Sequence, residues 1–209
     1  MRLYIVTLEE MKREVGLEDE EDDRTLTLWM EGLQERIDNF LNRTLLRAAA
    51  ATEYHDGGER FIYTKHWPVE SVASIDIARD KDWANGTTLD ADATDYLVNE
   101  ARGKISYGMG TNLWPAGFQS IRTILAGGFV ASEDTPGSGQ TAMPGWARRS
   151  MVIQAGFEYR NKGDMGITQT NANGATKQIG AGVALSLKGK TLLGEVEQTL
   201  QPHRRIFSF

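Results

Sequence analysis

The sequence contains no cysteine among its 209 residues. Disulfide bonds, thiolate metal sites and thiol nucleophiles are therefore excluded, and folding in a reducing compartment such as the cytosol is favoured. Histidine is also scarce: His55, His66 and His203 are far apart, and no metal-ligand spacing relates them. The sequence thus predicts no metal site and no bound cofactor.

Long apolar runs are missing as well. No stretch approaches the roughly 20 apolar residues that a membrane-spanning helix needs. The short apolar run after Met1 is followed directly by Glu9 and Glu10, which is unlike a signal peptide. We therefore expect a protein that does not associate with a membrane.

The chain lacks a surplus of basic residues. It has 23 Lys and Arg against 29 Asp and Glu, a formal net charge of −6, whereas proteins that grip nucleic acid need an excess of cations on one face. The longest charge run, residues 18–23, is acidic. We interpret this run as a solvated connection before a helix, with a cation site as the alternative, and we expect no tight, sequence-specific DNA binding.

Motifs of known chemistry are incomplete. Gly189-Lys190-Thr191 resembles the end of a phosphate-binding loop, but Ala184 stands where that loop needs glycine. A calcium-loop pattern of aspartates fails because Ala101 replaces its bidentate glutamate. The sequence therefore does not predict an enzyme. A carboxylate-dependent enzyme stays open as a rival, and it would need a buried cluster among Asp76, Asp82, Asp90, Asp92 and Asp95.

Helical periodicity marks both ends of the chain. Thr7 and Glu10 have the spacing of a capping box and predict a helix over 8–15 that ends at Gly16. Apolar residues at steps of three and four predict an amphipathic helix over about 25–46, and residues 48–51 either prolong it or begin a linker. Pro144 suits the first turn of a helix that runs to about Arg160. A last short helix is predicted over about 191–200.

The middle of the chain has the alternating pattern of β-strands. Residues 52–55 and 60–64 are predicted to form a hairpin around Gly57 and Gly58. Further strands are predicted at 72–78 and 120–126, with a second hairpin formed by 95–98 and 104–107. Residues 131–143 and 161–182 are predicted loops, the second either mobile or ordered only by a partner. The predicted fold class is α+β, with a helical core of about four helices (1–51 and 144–209) and an inserted antiparallel β region of five or six strands (about 52–130).

The tryptophans differ in whether we predict them to be buried or at the surface. Trp29, Trp67 and Trp146 lie in or beside predicted elements, so core packing is the default for them. Trp83 and Trp114 lie in loops rich in Gly, Asn and Pro, and we predict that they are surface or interface residues.

Three segments occur in a recognisable order. They are Trp67-Pro68-Val69-Glu70-Ser71-Val72, the Pro144 helix that closes on Tyr159-Arg160-Asn161, and the final Leu200-Gln201-Pro202-His203-Arg204-Arg205. In this layout the chain resembles the head–tail connector proteins, also called adaptor or head-completion proteins, of long-tailed bacteriophages and gene transfer agents. The glycine-rich segment 161–182 and the acidic run 18–23 depart from that pattern.

The resemblance implies a structural virion protein with a single connector domain over 1–209. It implies a ring, commonly a dodecamer, between the portal and the tail, which completes the head and offers the tail its attachment surface. The implied partners are the portal protein and the next connector or tail-terminator protein. DNA passes through the ring without specific binding. The implied location is the virion head–tail interface, with assembly in the host cytoplasm; the alternative is a tail-completion protein or another virion binding module.

The resemblance also suggests candidate binding residues. The cationic and aromatic end of the chain suits a groove on the portal, with an unbound frayed terminus as the alternative. The candidate portal-binding residues are Arg204, Arg205, Ile206, Phe207 and Phe209. The candidate residues for packing between subunits are Trp29, Leu33, Ile37, Trp83 and Trp114.

Overall fold

A computed structural model describes most of the chain: residues 4–18, 20–78, 80–89, 95–108, 112–160, 170–172, 175–177 and 192–205. The chain divides into two compact units. A helical unit combines Met1–Leu41 with Met143–Phe209, and a β unit comprises Asn42–Ala142. The α+β fold class predicted from the sequence is confirmed.

The helical unit contains four α-helices among the described residues. They are α1 (Leu8–Val15), α2 (Asp23–Leu41), α3 (Gly145–Arg160) and α4 (Gly194–Leu200), and a 3-10 turn (Gln201–His203) follows α4 directly. The capping box of α1 forms as predicted: the Glu10 N–H donates to the Thr7 hydroxyl, and the Thr7 N–H donates to the Glu10 carboxylate. Gly16 ends α1 in the left-handed conformation at φ 78°.

Helix α2 supplies the apolar stripe of the helical unit. Its inward positions recur at three- and four-residue steps, so they share one face, and each is at most 1% exposed. Each such buried side chain contributes about 1.5–3 kcal/mol relative to exposure. The helix ends at Leu41, earlier than predicted, because Asn42 adopts a left-handed φ of 56°. The inward residues of α2 are Leu26, Met30, Leu33, Ile37 and Leu41.

The β unit contains nine short strands among its described residues. They are β1 (Ala48–His55), β2 (Phe61–Tyr63), β3 (Val69–Ile77), β4 (Thr87–Leu89), β5 (Tyr96–Asn99), β6 (Lys104–Tyr107), β7 (Ile121–Gly127), β8 (Phe129–Val130) and β9 (Thr141–Ala142). One antiparallel sheet has the order β1-β7-β3-β4, and a second has the order β2-β6-β5. Strands β8 and β9 form a separate parallel pair.

The boundaries of the β unit differ from those predicted. Residues 48–51 begin β1 instead of prolonging a helix, and Ala51 is buried while Thr52 is exposed, as the alternation of a strand requires. The unit also includes Thr141–Ala142, which were predicted to be loop. Within the part of the chain that the structure describes, no helix combines the length and apolarity needed to cross a membrane.

The predicted hairpin around Gly57 and Gly58 is wrong. Strand β1 pairs with β7 and β2 pairs with β6, so the two neighbours in sequence belong to different sheets. The glycines serve another purpose: their N–H groups donate to Gly117 O and Trp114 O, both at 2.9 Å. A Cβ on Gly57 would lie 1.7 Å from Pro115 O, so only glycine allows this close approach of the two loops.

The second predicted hairpin is confirmed. Strands β5 and β6 pair with Leu97 opposite Ser106, and a 3-10 turn at Glu100–Arg102 joins them. Gly103 closes the turn at φ 56°. The inner faces of both sheets contribute to a core made of Ile62, Ile75, Leu89, Tyr96, Ile105, Trp114 and Ile121.

The segment 161–182, predicted to be a loop, is described only in part. Thr170–Ala172 (β10) and Ala175–Lys177 (β11) form a short antiparallel hairpin with Ala172 opposite Ala175. The phosphate-loop-like Gly189-Lys190-Thr191 lies outside the described residues.

Candidate assembly surfaces

The C-terminal segment 192–205 is fixed to the helical unit at its beginning by a buried polar network. The fully buried Gln154 of α3 accepts a hydrogen bond from Leu193 N (2.8 Å), just before α4, and its amide donates to Glu158 (2.7 Å). Arg36 of α2 binds both oxygens of Glu158, at 2.7 and 2.8 Å. The network therefore connects α2, α3 and the start of α4.

The far end of this segment packs on the two helices by its rings and backbone. The His203 ring stacks on Trp146 of α3, with centroids 4.0 Å apart and planes at 7°. The Arg204 guanidinium lies 5.2 Å from the Phe40 ring centroid, and Arg205 N donates to Leu41 O at 3.0 Å. The chain is therefore held up to residue 205 beside the end of α2. We call residues 192–205 the C-terminal strap.

Two of the five candidate portal-binding residues lie on this strap. Arg204 is exposed and Arg205 is half-buried. Ile206, Phe207 and Phe209 lie outside the described residues.

Three of the candidate packing residues are buried inside the chain. Leu33 and Ile37 are 1% and 0% exposed in the core of the helical unit. Trp114, predicted to be a surface residue, is 1% exposed in the β core, with its ring centroid 5.0 Å from that of Tyr107. The assignment of these three residues to subunit packing is corrected, because no side-chain surface is left for a neighbour. Hydrogen bonds from Gly57 and Gly58 hold the loop that contains Trp114, and the amino-acid composition of that loop alone does not predict these hydrogen bonds.

The two remaining candidates are half-buried, at the edges of their units. Trp29 meets the Tyr159 ring edge-on, with centroids 5.8 Å apart, and the Tyr159 hydroxyl donates to Asp22. Trp83 lies against Tyr54 at 5.6 Å and has the Arg122 guanidinium 4.9 Å from its ring centroid. Both retain some surface for a partner.

Two exposed aromatic residues, Tyr54 beside Trp83 and Phe118 beside Lys81, were not suggested by the sequence. Tyr54 is 50% exposed and Phe118 is 69% exposed. The Lys81 ammonium lies 4.8 Å from the Phe118 ring centroid and donates to the Gln119 side chain. Lys81 and Gln119 both have positive φ values, 63° and 47°, which are uncommon for residues other than glycine.

The buried carboxylates of the β unit each accept several hydrogen bonds. Glu53 accepts from the N–H groups of Lys65 (2.7 Å) and His66 (3.1 Å), and His66 Nδ1 lies 2.8 Å from it. Burial raises the pKa of Glu53, but these hydrogen bonds and the nearby His55 outweigh burial and hold the pKa below its ordinary value.

The pKa of Asp76, on β3 of the same sheet, is set by the same balance of burial and hydrogen bonding. Arg122 binds it at 3.0 and 3.1 Å, and the Thr88 hydroxyl donates to it at 2.6 Å. Burial alone would raise the pKa of Asp76, yet Thr88, Arg122 and Ser74 together lower it.

Three of the five carboxylates that an enzyme would need, Asp76, Asp82 and Asp95, are described, and of these only Asp76 is buried. Asp76 is buried and paired with Arg122, whereas Asp82 is exposed and accepts from Asn85 at 2.6 Å. Asp90 and Asp92 lie outside the described residues. Across the described part of the chain, no group of three or more His, Asp or Glu side chains is arranged to hold a metal ion.

Comparison with solved structures gives a similarity over the whole chain. One match is a chain from the neck of an empty gene transfer agent particle computed with C6 symmetry: it has a TM-score of 0.53 and 16% identity, and the match covers 100% of this chain and 98% of that chain. A second is a chain from the virion of a native gene transfer agent particle, with a TM-score of 0.59, 13% identity, and coverage of 98% and 92%. The likeness is one of fold. No family model matches the sequence, and no curated protein matches it.

Proposed function

We propose that this protein is a structural subunit of the neck of a phage-like particle, where it forms a ring between the portal and the tail. The observation that carries the proposal is the end-to-end similarity in fold to a gene transfer agent neck chain. A match that includes both the helical unit and the inserted β unit is more specific than one to either unit alone. The order of sequence segments that resembles head–tail connectors supports the same assignment independently.

The C-terminal strap fits a role in portal binding. Its contacts with Trp146, Phe40 and Leu41 hold the chain in one path up to Arg205, so the residues beyond start from a fixed point. A peptide whose base is fixed loses less conformational freedom on binding than a fully flexible one. We assign portal binding to residues 204–209, with Arg204 as its exposed cation.

The ring would enclose the DNA channel. The neck with which this chain shares its fold was computed with six-fold symmetry, and rings of six or twelve copies are compatible with that symmetry. A subunit with a net charge of −6 repels the DNA phosphates, so DNA would slide through without being held. Outward-facing aromatic residues such as Trp83 would serve contacts between virion proteins.

Deletion of the gene tests the proposal. Cells that lack the protein are expected to produce DNA-filled or leaking heads without tails, and electron microscopy of the particle fraction counts them. Restoring the full chain should restore tailed particles with the protein at their necks. Normal tailed particles without the protein would refute the neck assignment.

A narrower variant tests the strap. Arg204→Ala with Arg205→Ala should reduce binding to the portal protein in co-sedimentation, while Arg13→Ala with Arg149→Ala removes the same charge from exposed helix positions and should leave binding unchanged. Portal binding that survives the strap change while tails fail to join would instead indicate a tail-completion protein.

A further inference from the structure

The outer face of the sheet β2-β6-β5 carries aromatic and cationic side chains. Ile62, Ile105 and Val98 point into the core, so their neighbours in sequence point outward. The register places Phe61 and Leu97 on either side of Ser106, which is itself buried, and Tyr63, Lys104 and Asn99 in the next row. Tyr63 is 38% exposed and Leu97 is 47% exposed. We call Arg60, Phe61, Tyr63, Leu97 and Lys104 the cation–aromatic face.

Two cations of this face lie on one ring. The Lys104 ammonium is 3.4 Å from the Phe61 ring centroid, and the Arg60 guanidinium is 5.3 Å from it. A ring stabilises a cation but does not neutralise it, so the charge of Lys104 remains available to an anion above the sheet. Lys104 makes no ion pair with the residues that the structure describes. Lys65 and Arg102 are exposed in the segments that follow β2 and precede β6, so with Arg60 and Lys104 four cations stand against the exposed Glu59 and Glu100.

The chain itself contains the complementary surface. In the acidic run 18–23, Asp22 accepts from the Tyr159 hydroxyl at 2.6 Å and Asp23 pairs with Lys12 at 2.9 Å. These two contacts fix the base of the run on the helical unit. Glu18, Glu20 and Glu21 are exposed. The run is therefore an anchored segment that presents carboxylates to solvent.

We propose that the cation–aromatic face of one copy binds the acidic run of a second copy. The inference rests on the proposed ring, because a contact between two different patches of identical chains is heterologous and closes into a ring when the rotation permits. A carboxylate of Glu18 or Glu20 would pair with Lys104, with the positive charge of Arg60 nearby, while the glutamate stems would pack on Tyr63 and Leu97. A nucleic acid is the less favoured occupant, because a net charge of −6 opposes a polyanion, whereas the acidic run is present at one per face.

Zero-length cross-linking identifies the contact directly. Full-length protein with ¹⁵N label is mixed with unlabelled protein and treated with a carbodiimide, which joins a carboxylate to a touching lysine as an amide. Mixed-isotope peptides that join Lys104 to Glu18 or Glu20 are expected. Lys104→Arg keeps the charge but cannot form the amide, so it should lose this cross-link and retain self-association. Cross-links confined to single copies, or intermolecular ones that avoid both segments, would overturn the proposal.

Charge reversal gives an independent test by sedimentation. Glu18→Lys with Glu20→Lys, or Arg60→Glu with Lys104→Glu, places like charges at every contact and should weaken self-association at least about tenfold. An equimolar mixture of the two variants should assemble again, because alternating copies restore opposite charges at each contact. If both variants assemble normally alone, or the mixture does not recover, the contact is wrong.

Two further results separate this contact from its rivals. Binding of fluorescent oligo(dT) that is lost in the Arg60→Glu, Lys104→Glu variant and kept in the Glu18→Lys, Glu20→Lys variant would assign the face to single-stranded nucleic acid and overturn the proposal. Tail joining by both variants in cells lacking the gene would also overturn it, while leaving the neck function intact. Failure of the neck function itself is detected separately, by normal tailed particles after gene deletion.

Discussion

At the scale of single residues, the buried ionisable groups of the β unit are built for structure. Glu53 and Asp76 already accept several hydrogen bonds, and the pKa of each is held below its ordinary value. A carboxylate whose pKa is lowered in this way is a weak base, and its hydrogen bonds hold it in place. Their environment is therefore that of structural anchors, which agrees with a role in assembly.

Glu53 provides a prediction on pH and stability. Its lowered pKa means that its contribution to stability is complete above the ordinary pKa of about 4.5 and is lost as the pH falls through the folded-state value. Glu53→Gln should cost about 2 kcal/mol at pH 7, because the Lys65 and His66 N–H groups lose a charged acceptor. The difference in unfolding free energy from the natural chain should shrink at acidic pH.

Urea titrations monitored by circular dichroism from pH 7 down to pH 3 measure this difference. Glu59→Gln serves as the control, because Glu59 is exposed in the turn before β2 and should change the stability by less than about 0.5 kcal/mol. A destabilisation by Glu53→Gln that grows as the pH falls would contradict the assigned charge state.

At the scale of elements, the sequence predicts local structure better than pairing. The periodicity of α1, α2 and α3 and the turn of the β5–β6 hairpin depend on neighbours in the chain, and these predictions are confirmed. The partner of β1 is β7, about 70 residues away, and no local pattern specifies it. The prediction that Trp114 is a surface residue was wrong for the same reason, because the loop that buries it is held by Gly57 and Gly58, which are distant in sequence.

The candidate assembly surfaces were predicted less well than the fold. Arg204 was chosen as a candidate portal-binding residue because the end of the chain combines cations and aromatic rings, and it is exposed. Leu33 and Ile37 were assigned to a neighbouring subunit because an amphipathic stripe looks the same whether it faces a core or a partner. Phe61, Tyr63 and Lys104 were missed because they converge only when β2 pairs with β6.

A buried side chain of α3, Gln154, contributes to the position of α4 alongside the buried Val196 and Leu200. Gln154→Leu keeps the volume but leaves Leu193 N without its acceptor and Glu158 without one donor. We expect a loss of about 1–3 kcal/mol in unfolding free energy, since a buried group without its partner keeps its desolvation cost. The substitution should increase the rate of amide hydrogen exchange more over residues 193–200 than in α2. Hydrogen-exchange mass spectrometry measures both rates.

An exposed ion pair between α3 and α4 is the matched control for Gln154. Glu195 lies 3.8 Å from Arg149, and both side chains are more than half exposed. Glu195→Gln should change stability by less than about 0.5 kcal/mol and leave exchange in α4 unchanged. Equal effects from the two substitutions would mean that the buried network does not hold the strap.

At the scale of the whole molecule, the β unit has the form of an insertion with adjoining ends. Its first residues join β8 through the Leu46–Phe129 bridge and the hydrogen bond from Arg47 N to Phe129 O. Its last strand, β9, pairs with the same β8. The chain thus enters and leaves the unit beside one short strand, so the unit can be removed while a short connection replaces it.

This arrangement predicts that the β unit folds alone. A fragment spanning residues 42–142 contains its own core of seven buried residues and should give a dispersed amide NMR spectrum and a cooperative thermal transition.

The complementary chain, with a short Gly-Ser linker in place of 42–142, should keep the helical circular dichroism of α1 to α4 and should still bind the portal through its strap. It should no longer self-associate, because the cation–aromatic face is gone while the acidic run remains. A helical chain that still forms rings would place the subunit contacts on the helices alone.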